Sequence, residues 1–285
     1  LGSVGRASGL AKAAGRIAHW LHRNTRKHAR DNVEAHYDLG NDFYGSWLDT
    51  TMPYSSAVFG HLQPAGEALE TAQKRKIGLI LDRTQMKAGD RLLEIGCGWG
   101  GLAEAALDRA PIAYHGISLS PEQIRFAEAR LAGRGDWNIT LTDYRDVIGQ
   151  YDAIASVEMV EAVGQEYWPA YLDCIARCLK PGGRAALQYI RIEDDIFEQY
   201  ADGQDFIQRY IFPGGMLLSE SRFRVLAAAR GLRWEDQVDY GAHYAESLRL
   251  WRERFEAAVA EGRLPAGFDE KFVALWRFYL MYCEG

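Results

Sequence analysis

The sequence predicts an α/β fold: a doubly wound, mainly parallel sheet, with a helical lid ahead of it and an aromatic insertion near its end. Three observations carry this. Short apolar runs alternate with amphipathic stretches from residue 91 to residue 192, the rhythm of successive βαβ units. The run Arg91-Leu92-Leu93-Glu94-Ile95 ends in an acid and passes into Gly96-Cys97-Gly98-Trp99-Gly100-Gly101, a strand–turn–helix junction. Near residues 194–219 the rhythm breaks into Ile196, Phe197, Tyr200, Phe206, Ile207, Tyr210, Ile211 and Phe212, more apolar surface than one helix face uses.

Taken in order, residues 1–32 form a basic amphipathic segment. Residues 1–30 hold seven Lys or Arg, three His and no acid, with Leu10, Ala14, Ile17, Trp20 and Leu21 at helical spacing. Such a segment suits an anionic membrane surface. Residues 33–88 make the lid, rich in aromatics and turn formers, and close with a helix from Glu67 to Lys87 whose apolar face is Leu69, Ala72, Ile77, Ile80 and Leu81. Residues 89–285 form the α/β domain. Its strands are expected at Arg91–Ile95, Ala113–Ser118, Ile139–Thr142, Tyr151–Ser156 and Arg184–Ile192, with final strands starting at Leu232–Tyr240. Ser120-Pro121 starts a helix, the hydroxyl as cap and proline at the first turn. Helices at Tyr244–Glu261 and Asp269–Tyr282 end the sequence.

Composition narrows the function. With 48% hydrophobic and 25% charged residues the chain is an ordinary globular one, and no apolar run approaches the roughly 20 residues a membrane span needs. Leu1-Gly2-Ser3 has no signal-peptide character, and both ends read as cut. The four cysteines show neither zinc nor disulfide spacing, so no metal is expected and a reducing cytoplasm is the natural compartment, at the inner face of the membrane. The net charge of −6 and the lack of a recognition motif argue against nucleic acid. A homodimer stays open.

The glycine turn reads best as a cofactor pocket. Glycines let the backbone approach a ligand closely, and the helix beyond presents unpaired N–H groups. Glu94, two residues before the first glycine, can pair with an ammonium group. A dinucleotide turn keeps that spot apolar and spaces its third glycine differently. The zwitterionic tail of S-adenosylmethionine fits this pattern.

With these residues in place, the chain resembles the cyclopropane-fatty-acyl-phospholipid synthase family, which includes the mycolic acid cyclopropane synthases. The motifs are His36-Tyr37-Asp38-Leu39-Gly40-Asn41-Asp42-Phe43, Tyr54-Ser55, the 94–101 turn, Tyr210-Ile211-Phe212-Pro213-Gly214-Gly215 and Tyr240-Gly241-Ala242-His243-Tyr244. The resemblance implies a class I, Rossmann-like methyltransferase fold. It also implies a cofactor shell of Tyr54, Ser55, Glu94, Gly96, Cys97, Gly98, Gly100, Ser118, Leu119, Gln123, Tyr144 and Arg145, with Gln123 on the ribose and Tyr144 over the adenine.

The implied reaction is methyl(ene) transfer to the double bond of an unsaturated acyl chain, on a phospholipid. The alkene attacks a sulfonium methyl, and a base then takes a proton from the resulting cation in a dry site. In the family a bicarbonate held by Cys, Glu, His, a backbone Ile and Tyr is thought to be that base; the matching positions are Ser56, Glu161, Gln188, Ile190 and Tyr244. Ser and Gln depart from the pattern: they can still hydrogen-bond an anion but lose an imidazole, which puts bicarbonate in doubt and opens methyl-branched or methylene products beside cyclopropane. Glu161 is then expected to be the base, or to orient it, with Ser56, Gln188 and Tyr244 converging on it. Two other readings are an amine N-methyltransferase of the same family and a non-catalytic lipid- or cofactor-binding homologue.

Overall fold

The computed structural model describes residues 39–62, 66–203 and 205–285. The basic segment and His36-Tyr37-Asp38 lie outside the described residues.

Five parallel strands form the central sheet: β1 (Arg91–Ile95), β2 (Ala113–Ser118), β3 (Asp136–Leu141), β4 (Tyr151–Val157) and β5 (Leu179–Gln188), in the order β3-β2-β1-β4-β5. Both faces are covered, so the central strands read as near-continuous apolar runs. The pleat sends Leu93, Ile95 and Ile154 to one face, against Trp168, Tyr171, Ile175 and Phe223. Leu92, Ala153 and Ala155 go to the other, against Ile77, Ile80, Leu102, Ala106 and Ile124. The covering helices are α2 (Leu69–Thr84), α3 (Gly101–Arg109), α4 (Pro121–Leu131), α5 (Trp168–Cys178) and α8 (Glu220–Ala228), while α1 (Asn41–Gly45) lies in the lid. Strand order reverses between β1 and β4, and the crevice beyond their carboxyl ends is where such sheets bind ligands. Glu94 and Glu158 both stand there.

Over that crevice the lid meets the last two helices, α9 (Gly241–Ala260) and α10 (Glu270–Glu284), in an aromatic cluster. Phe43, Tyr44 and Trp47 from the lid pack with Trp99, Trp251, Phe255 and Trp276. Arginines fix the lid by its carbonyls: Arg254 donates to Trp47 O and Leu48 O at 2.6 and 2.7 Å, and Arg130 to Thr51 O and Thr50 O at 2.8 Å each. A Cβ on Gly101 would sit 2.5 Å from Thr51 O, so glycine there lets the lid close on α3.

The insertion folds as α6 (Phe197–Ala201) and α7 (Phe206–Tyr210), with a small parallel pair of β6 (Arg191–Ile192) and β7 (Leu218–Ser219). Asp205 and Gln208 form a capping box at α7. Phe206, Ile207 and Phe212 pack against the lid cluster.

Four expectations need correction. No strand forms over 232–240, where only Leu232 and Trp234 pack on the core and the intervening residues are polar. β5 begins at Leu179, five residues before the expected Arg184, and Arg191–Ile192 leave it to pair with β7. β3 starts at Asp136 because its register follows β2 from Ala113. α9 starts at Gly241, which puts Tyr244 in its first turn. On its outer edge β5 pairs with no strand among the described residues. A groove of about 940 Å³ runs there, bounded by β5 and residues 231–241 and reaching Ser56, Lys76, Glu158 and Tyr244.

Candidate active site

On the cofactor side the turn after β1 is built for close approach. Gly96, Gly98 and Gly100 have φ of +83°, +51° and +80°, backbone that side chains rarely adopt. A Cβ on Gly96 would meet Met159 at 2.8 Å, whereas one on Gly98 would meet nothing within 4 Å, so the turn is open at Gly98. Glu94 is 3% exposed, and the Tyr114 hydroxyl donates to its Oε2 at 2.6 Å. Burial pushes its carboxyl up to about 8. Cys97 is buried in the same turn, which holds its thiol well above the usual range.

Ser118 donates its hydroxyl to Gln123 Oε1 at 3.0 Å and accepts from Ser120 N, fixing the turn after β2 with Leu119 partly exposed between them. Tyr144 is nearly buried, edge-on to Tyr171 at 5.6 Å between ring centres, and Arg145 is paired to Asp143 at 2.8 Å. From the lid, Tyr54 shares a hydrogen bond with the Tyr279 hydroxyl at 2.7 Å. Ser55 is held twice by α2: Gln73 Nε2 donates to its carbonyl at 2.8 Å and Lys76 Nζ to its hydroxyl at 2.6 Å.

The predicted base site is arranged differently from expectation. Ser56, Gln188 and Tyr244 do converge, but on Glu158 rather than Glu161. The Ser56 N–H donates to Glu158 Oε1 at 2.8 Å, Gln188 Nε2 to the same oxygen at 2.8 Å, and the Tyr244 hydroxyl to Oε2 at 3.1 Å. Gln188 Nε2 also reaches Ser56 O at 3.1 Å. Ser56 therefore enters through its backbone, and its hydroxyl turns to Ala57 O. Glu161 lies apart, accepting the Ile190 N–H through Oε1, with Oε2 buried and unpaired. Burial, then the neighbouring Glu158 charge, push the Glu161 carboxyl up to about 8.

Glu158 is the residue the sequence reading missed. It sits directly after β4 with φ +45°, a left-handed conformation that costs a non-glycine residue about 1–3 kcal/mol. Such an outlier at a sheet's ligand-binding edge points to function. Burial raises its carboxyl, against the lowering effects of the Ser56 N–H, Lys76, Tyr244 and Gln188. A signal was present: two acids three residues apart follow β4, and the nearer one faces the crevice.

Comparison with known proteins agrees with this architecture. Residues 24–285 match the family model described as mycolic acid cyclopropane synthetase. The chain belongs to that family. It is 42% identical over 288 residues to a tuberculostearic acid methyltransferase of Mycobacterium tuberculosis, covering 94% of this chain and 67% of the relative. It is 36% identical to the cyclopropane-fatty-acyl-phospholipid synthase of Escherichia coli, covering 88% of this chain and 62% of that protein. The chain thus spans about two thirds of the length of these relatives. Among solved structures, a cyclopropane synthase of Mycobacterium tuberculosis superposes with a TM-score of 0.80 at 26% identity, covering 90% of this chain and 92% of that one. A mycolic acid cyclopropane synthase complexed with SAH and CTAB superposes at 0.79 with 27% identity and the same coverage. The five-stranded parallel sheet and its flanking helices are the class I methyltransferase fold of these cyclopropane synthases.

Proposed function

We propose that this chain carries out S-adenosylmethionine-dependent methyl(ene) transfer to the double bond of an unsaturated fatty acyl chain, with phospholipid as the substrate and Glu158 as the base. The observation that carries the reading is the meeting of Ser56, Gln188 and Tyr244 on the Glu158 carboxylate. The positions at which relatives are thought to hold bicarbonate are filled here by carboxylates of the chain itself: Glu158 takes three, and Glu161 takes the Ile190 N–H.

The cofactor residues fit the group. Glu94 offers a carboxylate beside an open glycine turn, suited to an ammonium, while Gln123, with its Oε1 occupied by Ser118, keeps its amide nitrogen for a ribose hydroxyl. Leu119, Tyr144 and Arg145 would hold the adenosine end, and Tyr54 and Ser55 would cover the sulfonium. S-adenosylmethionine supplies an electrophilic methyl when bound. The chain's residues do the rest: the lid aromatics exclude water and offer π faces to a cation, and Glu158 accepts the proton that the methylated acyl cation loses.

Loss of that proton with ring closure gives cyclopropane; loss with formation of a new double bond gives an open-chain, methyl-bearing product. We favour the open-chain product, because 42% identity is to a relative named a methyltransferase, against 36% to a named cyclopropane synthase. All these products add one CH2, so proton NMR of the product lipid separates them: high-field ring protons for cyclopropane, olefinic protons otherwise. Glu158→Gln is expected to lower turnover by about 10²-fold or more with cofactor affinity unchanged. Glu158→Gly relieves the left-handed backbone and empties the site, so added bicarbonate or formate is expected to restore part of the rate. Near-normal turnover by Glu158→Gln would remove it as the base.

A further inference from the structure

Lys76 has an unusual position that the reaction described above leaves unexplained. It lies on the buried face of α2, 3% exposed, with its ammonium on the Ser55 hydroxyl at 2.6 Å. An ammonium has three donors, and a single neutral acceptor compensates poorly for burying a charge. Its helix neighbours are ordinary: Lys74 and Arg75 form contact ion pairs with Glu70 and Glu67. No such contact pair involves Lys76 among the described residues.

Three acidic side chains act on Lys76 from three elements instead: Glu158 after β4, Asp49 in the lid and Glu94 at the end of β1. Around Glu158 stand the Ser56 N–H, the Tyr244 hydroxyl, the Gln188 amide and the Glu161 carboxyl; the one cation acting on it among these is Lys76. Lys76 and Glu158 line the same end of the groove, with Ser56, Gln188 and Tyr244. Held on Ser55, the ammonium acts on Glu158 through space without donating to it. A direct ion pair would occupy a carboxylate lone pair that must receive a proton. A charge at a distance favours the ionised form and leaves both oxygens basic.

We propose that Lys76 is a positioning residue for proton transfer, its ammonium anchored on Ser55 as the counter-charge that keeps Glu158 ionised at neutral pH. The proposal rests on Glu158 being the base. Its test has one readout that needs no turnover. Infrared difference titration of the full chain follows the protonated-carboxyl band that Glu158→Gln deletes, in the wild type, Lys76→Met, Lys76→Gln and Lys76→Arg. The same proteins give pH–rate profiles with S-adenosylmethionine and vesicles of dioleoylphosphatidylglycerol.

In Lys76→Met and Lys76→Gln both the band midpoint and the acid limb of the rate should move up by about one pH unit or more. Turnover at neutral pH should fall about tenfold and recover at higher pH, while Lys76→Arg keeps the wild-type midpoint. Lys76→Gln retains a donor for Ser55, so it stands in if the methionine variant does not fold. A band midpoint unmoved in the folded neutral variants overturns the proposal, whatever the rate amplitude. A shifted band with no matching shift in the rate profile leaves the electrostatic pair in place and removes Glu158 as the base instead.

Discussion

Glu94 is a carboxylate enclosed beside a tyrosine hydroxyl and pushed up to about 8, so before cofactor arrives it holds its proton at neutral pH. An incoming ammonium favours the ionised form, and that proton must leave. Calorimetry at pH 7 in buffers of different ionisation enthalpy should therefore show release of about one proton per S-adenosylmethionine bound, falling away above the carboxyl's own titration. Affinity should rise with pH up to about 8, and Glu94→Gln should abolish the release and weaken binding. Release unchanged in the variant would take Glu94 out of the pocket. An acid closing an apolar strand before glycines stands out in the sequence, and the structure buries it at that strand end; its role toward the cofactor is what the calorimetry tests. Glu158 was not legible in this way: motif correspondence favours Glu161, and only the backbone shows which of the two acids turns into the crevice.

The strand–helix alternation was readable because each strand is buried on both faces and each covering helix shows its own period. The face of α2 was read from Leu69, Ala72, Ile77 and Ile80; Gln73 and Lys76 fall on the same stripe and are buried with it. Polar residues inside an apolar stripe were the available signal for the Ser55 clamp. Residues 232–240 misled because only Leu232 and Trp234 pack on the core and most of the others are charged or exposed, so the segment stays across a groove from the open edge of β5. Glu161 belongs to this scale, since it joins elements: its carboxyl takes the Ile190 N–H after β5, and its carbonyl takes the Met216 N–H before β7 at 2.8 Å. Its folded-state carboxyl is raised to about 8, so the stability tied to the protonated form is full at acid pH and is lost as pH rises toward that value. Glu161→Gln keeps an oxygen for Ile190 and cannot ionise. Its melting temperature should match the wild type near pH 5 and exceed it by several degrees near pH 9, because raising a carboxyl's titration by one pH unit costs the ionised fold about 1.4 kcal/mol. A difference independent of pH would mean that Glu161 does not titrate in this range.

At the scale of the whole molecule, the proposed substrate lies in a bilayer, and no helix among the described residues is long and apolar enough to cross one. We propose that the chain meets the membrane through its basic segment. Its charge is divided for that: residues 1–30 carry seven Lys or Arg and no acid, although the chain as a whole is −6. Each basic side chain near an anionic surface contributes about 1 kcal/mol, screened within a Debye length of roughly 10 Å at 0.1 M salt. The acidic remainder is repelled by the same surface, so the first thirty residues should decide binding. Sedimentation with phosphatidylglycerol vesicles at low salt should carry the full chain down, and should fail in high salt or with phosphatidylcholine vesicles alone. A chain lacking residues 1–30 should stay in the supernatant yet bind S-adenosylmethionine with unchanged affinity, because every proposed cofactor residue lies from Tyr54 onward. Should the shortened chain sediment as well as the full one, the basic segment is not the membrane contact and attraction must come from another part of the surface.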